Sequence, residues 1–458
     1  MGSYAQAFNP DPFAIDQSYS ATPAKTPSNQ ITPIGCAQSE LGNEVDLLQV
    51  VEYALCQNYQ TRQAWINTKI QAQQVGIAKS AYLPTADASF GYSRGPNSYQ
   101  VKDTPELSFN SKTAARNISI NANWVLFDFG LRQANLENAR QLLIAASATQ
   151  DASIQTVFVT AAQAYYDLLS AQSNLNVCLE AERVAGESFK AADAKYIAGI
   201  GTFVDKLQAQ TDFAQAKLDR VKASGDIKIA QGTLAVTMGL DENRLLTVKS
   251  DAKDLPDLAF VNSVDQLILT AKKTHPSLIA ARAQLSAANA NISGIRDEGL
   301  PSIALFGSIN RNQQSGQPPA ATQADNSSIG IQLRIPLFEG FGRNYKVRQA
   351  QAQAESKAID LAHSEQQISL EVWKNYQILT TETESLKATD ELLISARASF
   401  KSAEGRYKAG VGNMLELLHA QNALSKANQQ HVQNLSNWHI ARLKLASSLG
   451  LLDMRSIK

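Results

Sequence analysis

Proline is missing where it would do most damage. The chain has 458 residues and 14 prolines, with none between Pro105 and Pro256, none after Pro336, and a further gap from Pro33 to Pro84. A proline inside a helix costs about 3 kcal/mol, so these stretches, rich in Ala, Gln, Leu, Lys and Glu, read as long helices. An excess of one charge is also missing. Lys plus Arg and Asp plus Glu are 42 each, which argues against a nucleic-acid partner held through phosphate charge. No run of about 18 apolar residues occurs, which excludes a membrane-spanning helix. Three cysteines and five scattered histidines leave little for a thiol or metal enzyme. There is no Walker loop, no GxSxG and no HExxH. No catalytic residue, cofactor or bound metal is therefore expected. Four unclustered methionines also argue against a soft-metal cargo.

What is present is a duplication. Phe127-Asp128-Phe129-Gly130 returns as Phe338-Glu339-Gly340-Phe341-Gly342. Gln155, Tyr165, Phe189, Ala192, Tyr196 and Gly199 return as Gln366, Tyr376, Phe400, Ala403, Tyr407 and Gly410, each 211 residues on. Ala209-Gln210 and Gly239-Leu240 return at the same offset, whereas Leu83-Pro84 returns as Leu300-Pro301 at 217. Shared helical composition would not hold one register over so long a span, and the change of offset marks one insertion. The organisation expected is an extended or disordered N-terminal arm (1–44), a first repeat (45–240), an irregular connection (241–263), a second repeat (264–451) and a short tail (452–458). No charged and then apolar leader is visible at the start.

Each repeat reads helix, strand, strand, long helix, turn, helix. The first places helices at about 46–83, 131–199 and 203–238; the second, at about 264–299, 343–409 and 413–448. Asp46 and Asp265 stand at N-cap positions. Gly199, Gly201, Gly410 and Gly412 stand where helix C-caps turn. A helix of about 69 residues is about 100 Å long, and the two flanking helices sum to nearly the same length. Stacked end to end they would match it, a way to build an even-walled tube. Leu386, Leu393, Ala396, Phe400, Ala403 and Tyr407 keep a heptad seam, and Leu175, Ala185, Phe189, Ala192 and Tyr196 its counterpart.

The strands, at about 86–94, 117–127, 302–311 and 328–338, alternate apolar and polar residues. Asn117, Ser119, Asn121 and Asn123 interleave with Ile118, Ile120, Ala122 and Trp124. Such two-faced segments of about 9–11 residues suit a membrane barrel, which must close because lipid satisfies no sheet edge. Four strands are too few to close one, and three copies would supply twelve. The alternative is a pair of small soluble hairpins on a coiled-coil scaffold.

With the duplication, the element order, Ala81-Tyr82-Leu83-Pro84 and the paired Tyr-x-x-Gly tips, the chain resembles the TolC family of outer-membrane efflux and secretion channels over about residues 45–451. The tips read Tyr196-Ile197-Ala198-Gly199 followed by Val204-Asp205, and Tyr407-Lys408-Ala409-Gly410 followed by Leu415-Glu416. The resemblance implies a mixed α/β, internally duplicated membrane protein. It would be a homotrimer whose twelve-stranded outer-membrane barrel, four strands per chain, continues as a long α-helical barrel in the periplasm. It implies no enzyme but a passive exit duct in outer-membrane lipid, coupled through a periplasmic adaptor (membrane fusion) protein to an inner-membrane ABC or RND transporter. Cys36 and the stretch Ala54-Leu55-Cys56-Gln57-Asn58, with Thr61-Arg62-Gln63-Ala64-Trp65, look closest to members serving type I protein secretion, such as the cyclolysin exporter. Multidrug efflux is the alternative within the class.

The resemblance also implies site residues. The periplasmic gate falls on Asp205, Glu416 and His419, with Tyr196 and Tyr407 on the long helices behind them. Threefold symmetry would turn each carboxylate into a ring of three; the alternative is surface acids paired with Lys206 or Lys408. His419 is either a group titrating near neutral pH or an ordinary polar contact, and the tyrosines either link neighbouring coils or pack in the seam. Gly199-Ile200 and Gly410-Val411 match the adaptor-contact tips and suit plain helix caps as well. If the periplasmic reading holds, a Cys36–Cys56 disulfide would persist there and pin the arm to the first helix, while Cys178 stays a buried thiol. Cys36 lacks the leucine and apolar stretch of a lipid-anchor signal.

Overall fold

A computed structural model describes residues 11–23, 42–249, 263–315 and 322–452. In chain order the elements are β1 (Glu44–Val45), α1 (Leu47–Gln57), α2 (Tyr59–Ser80), β2 (Thr85–Tyr99), β3 (Phe109–Phe127), α3 (Leu131–Ile197), α4 (Phe203–Thr237), β4 (Thr247–Val248), α5 (Val264–Thr274), α6 (Pro276–Asp297), β5 (Ser302–Ser315), β6 (Thr322–Arg334), α7 (Gly342–Lys408) and α8 (Met414–Ser448). The duplication is carried residue for residue. α3 and α7 start 211 residues apart, as do α4 and α8, while α1 and α5, α2 and α6, and β2 and β5 start 217 apart. The offset changes between the paired strands, so the first hairpin holds the insertion. Each long helix has 67 residues, against 11, 22 and 35 in the shorter helices of its half.

The chain divides into two compact units, each drawing on both repeats. The first comprises Ile70–Ile144, Arg282–Asp360 and the described residues up to Ser18. Its centre is one antiparallel sheet in the order β2-β3-β5-β6. Register fixes the faces. Phe90 pairs with Ile118, Ala88 with Ile120, Ile120 with Ile309, Trp124 with Leu305, and Leu305 with Ile331, giving one apolar face. Asp87 pairs with Asn121, Ser89 with Ser119, Asn121 with Ser308, and Ser308 with Ser328, giving a polar face. Hydrogen bonds knit that polar face: Ser89 to Ser119 at 2.6 Å, Asn121 to Asp87 at 3.2 Å, and Ser308 to Ser328 at 2.9 Å. The apolar face is left bare; Ile329 is 80% and Ile331 69% exposed.

The strands outrun the sequence expectation at the hairpin end. β2 reaches Tyr99 and β3 begins at Phe109, so most of the stretch 95–116, which separates the two strands expected from sequence, is ladder. Gly95, Pro96 and Asn97 read as loop, but β2 is an edge strand, and an edge tolerates proline because its N–H has no ladder partner to lose. At the other end β6 stops at Arg334, four residues early, because Pro336 ends the donors. The strand-to-helix joints explain the repeated Phe-Asp/Glu motif. The Asp128 carboxylate accepts from the Arg132 backbone N–H at 3.1 Å and its guanidinium at 2.8 Å, and Arg132 also donates to the Val125 carbonyl at 2.6 Å. Arg343 and Glu339 form the same ion pair in the second repeat. Phe127, Phe129, Phe338 and Phe341 gather beside these joints, exposed.

The second unit comprises the described residues of Tyr19–Lys69, Ala145–Ala281 and Leu361–Lys458. Its largest core packs Ile154, Phe158 and Leu168 of α3 against Leu55 of α1, Leu234 of α4, and Met238, Leu246 and Val248. β1 and β4 pair in parallel beside it, joining the junction of the expected arm and first repeat to the stretch expected to be an irregular connection. A second core joins Leu267 and Leu278 to Val372, Leu379 and Trp438.

Two single helices are expected at 46–83 and 264–299; each is broken. Asn58 sits between α1 and α2 at φ −60°, ψ 136°. Its amide donates to the Thr237 carbonyl at 2.8 Å and its side-chain oxygen accepts from the Gln60 N–H at 2.8 Å. His275 breaks the second pair because the residue before a proline is kept out of the helical region, and Pro276 then opens α6. The ends of α4 and α8 abut these breaks. A Cβ on Gly239 (φ +78°) would lie 2.8 Å from the Gln57 carbonyl, and one on Gly450 (φ +69°) 2.8 Å from the His275 Cα. Asp46 caps α1 in a capping box with Gln49, as expected; the α5 cap is Ser263, and Asp265 lies in its first turn.

The described part of the N-terminal arm is packed rather than loose. In the first unit Asp11 accepts from the Ile15 and Asp16 N–H groups, and buried Ile15 lies against Gly76. In the second the Trp65 indole donates to the Ser20 carbonyl at 2.9 Å.

Candidate gate at the hairpin tips

The two hairpins α3–α4 and α7–α8 end alike. The long helices close with Gly199 at φ +75° and Gly410 at φ +78°. Ile200 then donates back to the Lys195 carbonyl, and Val411 to the Arg406 carbonyl, both at 3.0 Å. This two-bond cap needs a left-handed residue. Thr202 and Asn413 open α4 and α8, their side-chain oxygens accepting from the N–H groups of Asp205 and Glu416. Both carboxylates thus sit in first turns, where the helix dipole favours them. The turns leave Ile197, Ile200 and Val411 more than 70% exposed, an apolar tip on each hairpin.

Behind the tips the repeats diverge. Glu416 pairs with Arg406 at 3.4 Å rather than with Lys408, which is taken by Glu404 at 2.6 Å. Asp205 hydrogen-bonds the Thr202 hydroxyl at 2.8 Å, and Lys206 is taken by Asp193 at 2.7 Å. Neither lysine named from sequence neutralises the acid it was matched with. Tyr407 is buried, and the Lys195 ammonium lies 3.8 Å from its ring centre. Burial, and then the Asp205 charge, push the Tyr407 phenol above its ordinary range. Tyr196 is 40% exposed and packs on Phe203, with Lys206 5.3 Å from its ring. His419 lies exposed one turn past Glu416, with no partner among the described residues. Ala192, Ala209, Met414, Leu417 and Leu418 close the core behind the tips.

Sequence reasoning missed the link that binds one hairpin to the other. Asp212 of α4 accepts from Asn422 at 3.0 Å and Gln421 at 3.3 Å, both on α8. Burial raises its carboxyl, the Asn422 bond opposing. The available signal was a carboxylate one turn beyond the seam residue Ala209. Lys195 over Tyr407 and the Ser436 hydroxyl donating to the Tyr166 carbonyl at 3.3 Å are further polar contacts that tie α3–α4 to α7–α8. Cys178 is a buried free thiol, as expected, and Cys56 is disulfide-bonded; Cys36 lies outside the described residues.

The family model for "Outer membrane efflux protein" matches residues 50–240 and 267–451. The chain belongs to the outer membrane efflux protein family. Its relatives include protein CyaE of Bordetella pertussis, 28% identical over 91% of this chain and 86% of that protein. Another is the alkaline protease secretion protein AprF of Pseudomonas aeruginosa, 24% identical over 72% of this chain and 68% of that one. The CmeC outer membrane channel of Campylobacter jejuni has the same fold, with a TM-score of 0.77 at 18% identity, covering 88% of this chain and 85% of that one. Family membership makes the chain an outer-membrane exit duct whose helices extend into the periplasm. Channels of this fold are homotrimers that work with periplasmic adaptors and inner-membrane transporters.

Proposed function

We propose that three copies of this chain form the outer-membrane duct of a type I protein secretion machine. The observation that carries the channel is the sheet. β2 runs away from the helices and β6 runs back toward them, and both are edges. Joining β6 of one copy to β2 of the next therefore continues an antiparallel ladder, with the apolar face toward lipid and the polar face toward the lumen. Two copies would give eight strands, an interior filled by side chains; twelve leave a passage. Secretion rather than drug efflux is supported by the likeness to AprF, whose name states secretion.

The tips form the gate in this reading. Asp205 and Glu416 each recur three times around the axis, narrowing the pore and favouring cations. Lys195 over Tyr407 and Asp212 with Asn422 hold adjacent hairpins together, and Tyr196 and His419 flank the ring. Gly199-Ile200 and Gly410-Val411 are the docking points for the adaptor, through which an ABC-type pump drives export. Cys36 and Cys56 bridge, tying the arm to α1; the disulfide at Cys56 and the free thiol at Cys178 support that pairing.

Two measurements test this. Purified protein in a planar bilayer should conduct as a trimer and be blocked by divalent cations. Deleting the gene should abolish export of a large protein while drug susceptibility stays within about twofold. Lost drug resistance with normal protein export would replace secretion with efflux.

A further inference from the structure

The two rims of the sheet differ. Beside the helices the rim is aromatic, with Trp124, Phe127, Phe129, Phe338 and Phe341 exposed. At the hairpin end the apolar face passes into cations instead. Register places Arg94, Lys112 and Arg116 on that face: Tyr92 pairs with Arg116, Arg94 with Ala114, and Pro96 with Lys112. Arg311 joins them, since Ile118 pairs with Arg311. The one strand acid on this face at that height is Asp325, which Arg311 holds at 2.7 Å. Arg94, Lys112 and Arg116 are exposed.

The opposite face at the same height carries no charge. There stand Ser93, Gly95, Asn117, Thr113, Asn312 and Asn326. A solvated strand end would scatter charge over both faces and both signs. Here all the strand charge lies on the face continuous with the apolar band, and four cations stand against the one acid, Asp325. From Ile118 to Leu126 that band covers about 27 Å of strand, or about 20 Å at the usual tilt, close to the height a membrane barrel presents to lipid. The cations therefore fall at the level of lipid headgroups, on the side away from the helices.

We propose that Arg94, Lys112 and Arg116, backed by the Arg311–Asp325 pair, form a binding row for the phosphate groups of an anionic lipid in the outer leaflet. The inference rests on the barrel reading above. Guanidinium forks suit phosphate oxygens, and three rows per trimer would seat the barrel at a fixed depth. The row also lies outside the pore, so neutralising it leaves conduction alone.

The test uses the full-length trimer in detergent with bisphosphorylated lipid A as probe, read by native mass spectrometry. The variant R94Q/K112Q/R116Q should retain at least tenfold less lipid, with the trimer and its single-channel conductance unchanged. R94K/R116K should retain most of it. Dephosphorylated lipid A should bind poorly to the parent protein. Inorganic phosphate at the same concentration should not displace the lipid; full displacement would mean a site for any small anion and would overturn the assignment to lipid. A conducting trimer of the glutamine variant that keeps its lipid overturns the inference alone. A parent protein that is monomeric and soluble without detergent overturns the barrel reading and this inference with it.

Discussion

The helices α3 and α7 have the same length and the same place in the duplication, yet they live in different surroundings. α3 has 19 buried residues and α7 has 10. Phe158 is wholly buried in the α3 core, and its counterpart 211 residues on is Ser369. Both helices leave large apolar side chains exposed, Ile144 and Leu179 on α3 and, more numerous, Ile359, Leu370, Trp373 and Ile394 on α7, Ile394 at 69%. Duplication has preserved backbone length, caps and joints, because those set the geometry of a wall. Burial has diverged, because one long helix packs further inside its own chain and the other leaves more of its apolar surface uncovered there.

The largest effect should come from breaking the α3 side. Phe158→Ala should cost about 3–5 kcal/mol, seen as a lower unfolding midpoint in denaturant. Trp373→Ala, on α7, should change that midpoint little and instead make the trimer dissociate at lower temperature. Should Trp373→Ala leave the trimer as robust as the parent, its exposed face is not an interface and the comparison loses its meaning.

Next are the joints, where the halves should behave alike. Gly239 and Gly450 both hold positive φ, and a Cβ on either meets backbone or its neighbour at 2.8 Å. Gly239→Ala and Gly450→Ala should each cost about 1–3 kcal/mol. Gly225, inside α4 with open space around it, should accept alanine with a gain of about 0.5–1 kcal/mol. A cost at one joint and none at the other would show that the breaks at Asn58 and His275 are not equivalent.

The proposed gate should separate the halves again. Replacing Asp205 and Glu416 together by Ala should raise conductance and weaken cation block. Singly they should differ. Glu416 has Arg406 at 3.4 Å, while Asp205 has a neutral hydroxyl. Asp205→Asn should therefore weaken divalent-cation block more than Glu416→Gln does, read as the blocking concentration in single-channel records. The reverse order would place the ion-binding ring on the second repeat.

Much of this was legible in the chain, and the failures have causes. A repeat held at one offset needs no energetics to read, so helix order, tip caps and strand faces came through. The break at His275 was written in Pro276, but a strong helical pattern on both sides masked it; the matching break at Asn58 has no proline and rests on side-chain hydrogen bonds to a carbonyl 179 residues away. The hairpin ends were read as loop because Gly95, Pro96 and Asn97 carry turn chemistry, which an edge strand overrides through its partner. The ion pairs at the tips were misassigned because Lys206 reaches across the hairpin from α4 to Asp193 on α3, while Lys408 turns back along α7 to Glu404. Asp212 drew no notice, since its partners Gln421 and Asn422 come from the other repeat.

The smallest expected effect tests that last link. Burial raises the Asp212 carboxyl above its ordinary value of 3.8, despite the Asn422 bond. A carboxyl raised in the fold contributes its stability below the unfolded value and loses it as pH climbs through the folded one. At neutral pH the ionised group is thus a burden that Asp212→Asn removes, while the new amide oxygen still accepts from Asn422. The variant should equal or slightly exceed the parent in stability at pH 7, and the difference should fade as pH drops toward about 4. The counterpart of Asp212 in the second repeat is Ala423, so no partner there offsets the change. A variant that is less stable than the parent at pH 7 and equal to it at pH 4 would mean the charge itself holds the two hairpins together.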